Sequence, residues 1–558
     1  MPNRRRRGRL LAAVVAAIVL AVVGGVFAWS RLGPGATPTS ALGAPGFAEE
    51  TSTSGIEHVY DGTSTFYTGG GVAAFDCDDD GRPELYLAGG ANPAALYRNT
   101  SRVGGPLRFA AIADPLTDVT GVTGAYPLDI DADGRLDLAI LRVGEDVLLR
   151  GLGDCRFERA NEAWRFDGGD RWTTAFSATW EGSAALPTLA VGHYLALEAD
   201  GSPTSDCTDH ELLRPDPSGA AFAGPIPLAP GYCTLSMLFS DWDRSGRRDL
   251  RISNDRQYYR DGGEQLWRME PGTAPRLYTD ADGWVLTQVW GMGIASHDVT
   301  ADGYPDVYLT SQGDNKLQTL TAGPGQPTYR DIALRRGVTA ARPFTGGDPL
   351  PSTAWHPEFQ DVNNDGFIDL FLTKGNVNVM PDYAAKDPSN LMLGQPDGTF
   401  VEAADAAGIV TFARGRGAAV VDFNLDGLLD LVQVNLGAPV IVWRNVGSGT
   451  ETASAPLGHW LALRLVQPGA NRDAVGAWIE VRVGDVVMRR ELTVGGGHIG
   501  GQAGWIHFGL GPAGRAEVRV QWPNGETGPW IPVAADGFAF IDRGSTAPRP
   551  WSPTSESE

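Results

Sequence analysis

Residues Asp76 to Glu84, DCDDDGRPE, form the first of six copies of one acidic loop. The others are DIDADGRLD from Asp129, DWDRSGRRD from Asp241, DVTADGYPD from Asp298, DVNNDGFID from Asp361 and DFNLDGLLD from Asp422. Every copy places an oxygen-bearing side chain at positions 1, 3, 5 and 9 and Gly at position 6, directly before an apolar run such as Leu85-Tyr86-Leu87 or Leu370-Phe371-Leu372. Hard cations take six to eight oxygens at about 2.3–2.6 Å, and alternate residues of a tight loop point inward to supply them. Gly permits the turn. The opening matches an EF-hand, but a strand follows where an EF-hand has a helix, and the last acidic residue stands at position 9 rather than 12. One Asp-Gly pair alone would read as a hairpin turn. Six copies under one spacing rule read as calcium cradles.

The candidate ligands follow copy by copy. They are Asp76, Asp78, Asp80 and Glu84; Asp129, Asp131, Asp133 and Asp137; Asp241, Asp243, Ser245 and Asp249. The second half of the chain supplies Asp298, Thr300, Asp302 and Asp306; Asp361, Asn363, Asp365 and Asp369; Asp422, Asn424, Asp426 and Asp430. Up to six structural Ca²⁺ ions are expected. Ser245 and Thr300 stand in for carboxylates, so the third and fourth copies should bind least tightly.

The loop starts lie 53, 112, 57, 63 and 61 residues apart. The long gap holds nearly two periods. Within it Phe176-Ser177-Ala178-Thr179-Trp180-Glu181-Gly182 and then Leu186 to Ala190 keep the register of Phe75, Gly81 and Leu85 without the acidic ligands. Seven repeats result, one degenerate, at the length of radial four-stranded blades. The fold class expected is all-β, a seven-bladed β-propeller. FVEAADAAGI at Phe400 to Ile409 reads as a fourth strand; the last unit, ending near Val440 to Asn445, has none, and FAEETSTSGI at Phe47 to Ile56 is a spare copy at the front. That segment is expected to complete the seventh blade and close the ring, removing exposed edges.

These repeats resemble the FG-GAP/VCBS repeats of integrin-α-type propellers over residues 47–449. The resemblance implies calcium on the outer rim of the blades. From about residue 456 the chain resembles the ASPIC/UnbV domain, through Gly458 to Leu465, Asn471 to Ala477, His507 to Gly511 and Val520 to Gly525. That domain accompanies FG-GAP propellers in the cartilage acidic protein family. The segment GGGHIGGQ, Gly495 to Gln502, departs from the family pattern, so the resemblance assigns it no role. Alternating runs such as Trp478 to Val483 indicate a small β-sandwich over 456–544, with a loose tail from Ser545.

At the front, Arg4 to Arg7 and Arg9 precede an apolar run from Leu10 to Trp29. Its length matches a bilayer core, and the arginines should stay in the cytoplasm. An N-terminal transmembrane helix is expected, with a cleaved signal peptide as the alternative. Either way the bulk lies outside the cytoplasm, after a flexible spacer to Gly46.

The net charge is −22; six divalent ions carrying +12 would bring it to −10. Outside the first residues no basic patch is apparent, which argues against nucleic acid as a partner. Four cysteines in an exported chain suggest two disulfides, Cys207 with Cys233 across a Pro-rich insertion and, remaining, Cys77 with Cys155. None of the eight His sits in a zinc-hydrolase or nucleophile-elbow motif, though His297 and His356 fall near inner strands and could line a channel mouth. The tryptophans, including Trp172, Trp180, Trp242, Trp284, Trp290 and Trp355, either wedge neighbouring blades apart or stack on sugars. The expectation is a membrane-tethered scaffold without catalytic turnover, offering its channel face or the loops Glu198 to Tyr232 and Arg342 to Trp355 to a protein or glycan. The competing class is an exported polysaccharide lyase or hydrolase.

Overall fold

The computed structural model describes residues 37–255 and 262–553. The apolar run 10–29 lies outside them; among the described residues no helix is long and apolar enough to cross a membrane. The fold is all-β apart from short helical turns.

Each acidic loop joins two antiparallel strands, and in all six copies position 9 is the first residue of the second strand. The register is constant. Phe75 faces Glu84, Leu128 faces Asp137, Ser240 faces Asp249, His297 faces Asp306, Gln360 faces Asp369 and Val421 faces Asp430. Two more strands complete every unit, giving seven successive four-stranded sheets. Their first strands are Val72–Phe75, Val122–Leu128, Arg171–Thr179, Thr234–Ser240, Ile294–His297, Ala354–Gln360 and Gly415–Val421. Each first strand touches the next, and the seventh touches the first, so the array closes into a ring. The third sheet is the degenerate repeat, and its first strand also pairs with Asp137–Gly144 of the second through Arg171 and Trp172.

Closure uses the N-terminal strand. Gly46–Glu49 pairs antiparallel with Ala438–Gly447 and becomes the fourth strand of the seventh sheet. Behind it Glu50 accepts from Arg444 Nε at 2.9 Å and from the Leu107 amide at 2.6 Å, tying the seventh sheet to the first. The fourth strand of the sixth sheet is shorter than the sequence suggests: Phe400–Glu402 is extended, and Ala404–Ala407 then coils into a helical turn ended by Gly408 at φ 79°. Aromatic side chains fill the wedges between sheets, with Phe75 against Phe157, Tyr126 against Phe176 and Trp242 against Tyr329. Trp172, Trp180, Trp242, Trp284 and Trp355 are all buried, as wedge residues should be. Both disulfides, Cys77–Cys155 and Cys207–Cys233, form. They mark an extracytoplasmic protein.

The C-terminal unit stacks two four-stranded sheets about a core of Leu461, Leu463, Ile479, Val481, Val518 and Ile541. The segment expected to be a loose tail is in part structured: Arg549–Trp551 is an edge strand on Gly537–Asp542, because Trp551 has a buried partner surface in Phe538 and Trp505.

One segment of this unit enters the ring. Gln502–Ala503 pairs in parallel with Val72–Phe75, and Gly500, Val494, Gly495 and Gly497 bridge to Ala125, Ala178, Leu238 and Ile294, the first strands of the second to fifth sheets. The His498 amide donates to His356 Nδ1 on the sixth sheet at 3.1 Å. GGGHIGGQ is thus a plug in the channel, which corrects the expectation that the channel face is open to a partner. Its glycines are steric necessities. A Cβ on Gly500 would lie 2.1 Å from the Val72 carbonyl oxygen, and one on Gly71 would lie 1.7 Å from that of Ile499.

Two outcomes test closure and plug. Deleting residues 46–56 exposes the edge of Ala438–Gly447, so the chain should self-associate in light scattering; Glu50→Ala alone, by orphaning buried Arg444, should cost about 3–5 kcal/mol in denaturant unfolding. Gly500→Val should undock the C-terminal unit, read as new cleavage between the units in limited proteolysis, whereas the same change at Gly514, where a Cβ meets nothing within 4 Å, should not.

Candidate metal centre

The six loops share one hydrogen-bonded skeleton. Position 1 accepts from the position-6 glycine amide in every copy, at 3.0 Å for Asp76, 3.0 Å for Asp129, 3.0 Å for Asp241, 3.1 Å for Asp298, 2.7 Å for Asp361 and 2.8 Å for Asp422. Position 4 is left-handed, with φ between 56° and 63° from Asp79 to Leu425, and so is the glycine. This winding turns the side chains of positions 1, 3 and 5 toward one centre. Position 9 is a staple between strands. Asp369 takes the Val362 amide at 2.9 Å on one oxygen and the Gly394 amide, on the third strand, at 2.8 Å on the other. Glu84, Asp137 and Asp430 do the same for their own sheets.

What fills the centre differs by copy. In the first, Asp76, Asp78 and Glu84 offer oxygens within 4.8 Å of one another, and Asp80 turns to Arg82. Asp129, Asp131 and Asp137 gather equally closely in the second, with Asp133 near Arg135 at 3.3 Å. Oδ1 of Asp76, Asp78 and Asp129 is buried without a hydrogen-bond partner, which suits an oxygen awaiting a cation. The fifth copy buries Asp361, Asn363, Asp365 and Asp369, and the sixth Asp422, Asn424 and Asp430, with Asp426 held by Ser454. No described arginine or lysine forms an ion pair with any of these carboxylates. Over the fifth loop lies the N-terminal segment, whose Leu42 amide donates to Asp365 at 2.8 Å.

The third and fourth copies are built otherwise. Arg247 lies along Asp249 at 2.9 Å and 3.6 Å from Asp243, so a guanidinium sits among the acidic groups, while Ser245 caps Arg247's amide. Trp242 and Tyr278 also donate to Asp249, at 2.9 and 2.8 Å. In the fourth, the Thr300 hydroxyl turns to Asp306 at 3.3 Å, Asp302 caps the Tyr304 amide, and Arg489 of the C-terminal unit reaches Asp298 at 3.2 Å.

The C-terminal unit covers this loop face. Arg464 pairs with Asp76 at 3.3 Å, Arg244 bonds Gln521 at 2.6 Å, the Asp241 amide donates to Glu491 at 2.7 Å, and His507 bonds Asn364 at 2.6 Å. Loops and C-terminal unit therefore share one interface. His297 and His356 lie inside it rather than at an open mouth. Burial lowers the His297 imidazole to about 3, and His356 meets both the plug and Glu358, the latter at 3.3 Å.

Clustered buried carboxylates resist ionisation. Burial, then Asp78, pushes Glu84 up to about 9; burial raises Asp137 to about 8; burial and then Asp473 raise Asp129 to about 7. Burial and like-charged neighbours hold Asp361, Asp369, Asp422 and Asp430 well above the usual range. A divalent cation reverses this penalty.

Comparison with known proteins agrees with the loop geometry. The FG-GAP-like repeat family matches residues 76–140 and 361–433, which contain the first, second, fifth and sixth loops, and the ASPIC and UnbV family matches residues 467–547. This chain carries FG-GAP-like repeats and a C-terminal ASPIC and UnbV domain. It is 27% identical over 499 residues to cartilage acidic protein 1 of Mus musculus, covering 82% of this chain and 70% of that one, and 23% identical over 510 residues to the Xenopus tropicalis protein. The homology is distant. Among solved structures, the Dos1 propeller is similar at 10% identity, with 74% of this chain and 97% of that one covered and a TM-score of 0.33. An Agrocybe aegerita lectin that recognises non-reducing terminal N-acetylglucosamine aligns at 18% identity over 69% of this chain and 78% of its own, with a TM-score of 0.29. The acidic clusters fit the metal-binding loops of FG-GAP repeats. What the sequence did not expose is that Arg247 lies within the third acidic loop, since Arg82 and Arg135 share its position and turn to position 5 instead, and that GGGHIGGQ fills the channel, of which the run of glycines was the trace.

The raised carboxylates fix a pH response. In chelator the folded chain holds protons that the unfolded chain, with carboxyls near 4, has released, so stability should fall as pH rises from about 4 to about 9, by up to about 1.4 kcal/mol per unit for each such group. Melting curves in chelator should thus shift downward between pH 5 and pH 8 by roughly several degrees, and divalent cation should flatten the trend. A pH-independent melt in chelator contradicts this electrostatic picture.

Proposed function

We propose that the seven sheets are the blades of a calcium-stiffened propeller acting as an extracytoplasmic recognition or adhesion scaffold, without catalytic turnover, for a protein or glycan. The residues 10–29 would tether it to a membrane, leaving the face opposite the C-terminal unit for the partner. The observation that carries the reading is the pair of loops at Asp361 and Asp422, each with three carboxylates, all buried in the first and all but half-buried Asp426 in the second, and with no arginine or lysine ion pair among the described residues. Neighbouring negative charges that raise one another away from water are a heavy cost without a divalent ion, and oxygen-only ligation suits Ca²⁺. The first and second loops have arginines at their rims, Arg98 3.6 Å from Asp78 and Arg150 2.7 Å from Asp131, but gather three carboxylate oxygens within 4.8 Å of one another; on that clustering they too hold calcium, and the third replaces it with Arg247.

Support for a scaffold comes from the plug. Its glycines take up the channel in which a lyase or hydrolase on this fold would place its acid and base, which confines any such site to the cavity of about 200 Å³ left beside them, lined by His356, Glu358, Arg490 and Glu491. The homology to cartilage acidic protein 1 joins the same two parts in one chain.

Metal analysis of the chain after removal of loose ions should find about four calcium ions rather than six. Calcium should raise the melting temperature by roughly 10 °C over chelator, by mass action on the folded state. Asp365→Asn with Asp426→Asn should lower the count by two, and Ser245→Asp should add none while Arg247 remains. No bound calcium together with coincident melts sinks the proposal; turnover of a glycan panel sinks its non-catalytic part.

A further inference from the structure

The outer rim of the fifth sheet carries an open cavity of about 370 Å³ beside the fourth acidic loop, which lends it Thr300 and Asp302. Three arginines line it. Arg330 projects from the edge strand Tyr329–Asp331, opposite Thr319, and Arg335 and Arg336 close the helical turn Ala333–Arg336. Arg330 and Arg335 are exposed and form no ion pair among the described residues. Arg336 is fixed against the sixth sheet by its bond to the Asp397 carbonyl at 3.0 Å, and its Nε is buried with no hydrogen-bond partner. Within a chain of net charge −22, three guanidinium groups facing one concavity make a local exception.

The geometry points to a binding site for an acidic saccharide, a sugar bearing a sulfate ester or a carboxylate. Guanidinium groups grip such oxyanions through paired, charge-assisted hydrogen bonds. The rest of the lining selects against a bare ion. Asp302 sits on the same wall and repels a free anion, but accepts from the hydroxyls that a sugar ring presents beside its acidic substituent. Thr300 and Thr321 add further hydroxyls, and the volume lies in the range of small-molecule sites. The site deepens the scaffold reading by naming the chemistry of its ligand, and it stands on the rim, apart from the plugged channel.

The test titrates the full chain, in calcium and near-physiological salt, with a sulfated disaccharide, a uronate-containing disaccharide, a neutral disaccharide and inorganic sulfate. At least one acidic disaccharide should bind saturably, about tenfold or more tighter than sulfate, and the neutral one should not bind. Arg330→Gln with Arg335→Gln should weaken binding about tenfold or more while leaving the melting temperature in calcium unchanged, since both side chains are exposed. Rising salt should weaken it further. The site is overturned if neither acidic disaccharide saturates at 10 mM, if inorganic sulfate binds as well as they do, or if the double variant binds within twofold of the parent. Calcium dependence of the melt, read on the same samples, separates failure of this site from failure of the scaffold reading.

Discussion

Negative charge held away from water is the constraint on which this molecule is organised. In each hairpin the first residue of the second strand is acidic and accepts from an N–H of the loop, the Trp242 indole for Asp249 and a backbone amide in the others. That carboxylate sets where the strand begins, which fixes the register of the first pair and hence which side chains face the next sheet. Six hairpins obey the rule. Local electrostatics and global closure are therefore one problem.

The molecule offsets this charge in two ways. The first two cradles gather three carboxylates and keep their arginines at the rim, the fifth and sixth have no arginine or lysine ion pair among the described residues, and the third has a guanidinium along its position-9 carboxylate. Arg464 and Arg489 bring further positive charge from the C-terminal unit to Asp76 and Asp298. Partly buried pairs of this kind contribute through desolvated Coulomb attraction only while both partners stay in place. The interface between the two parts is thus as much an electrostatic seam as an apolar one.

Much of the ring was legible in the sequence because its signals are local. DxDxDG fixes a turn, the run after it fixes a strand, and the interval between copies fixes the number of sheets. The missing strand of the last unit points to Phe47 to Ile56, of which the structure keeps only the first residues extended, in Gly46–Glu49, and register alone marks Phe176 to Gly182. Other features depend on contacts between residues hundreds of positions apart. Nothing in Gly495 to Gln502 taken alone says that its backbone pairs with the first strands; glycine marks close approach without naming the neighbour. Trp551, in a segment rich in Pro and Ser, reads as a tail until Trp505 and Phe538 are placed beside it. Phe400 to Ile409 reads as one strand because its apolar residues suit both extended chain and a helical turn, and Gly408 decides between them only at the end.

The threaded segment has a bearing on descent as well as on form. A module that merely sits beside its neighbour can be gained, lost or exchanged by recombination at the linker. Here the neighbour's axis is occupied by ten residues of the module itself, so cutting near residue 456 would leave a hollow core on one side and an unpaired glycine ribbon on the other. Selection must act on the two parts as a single heritable block.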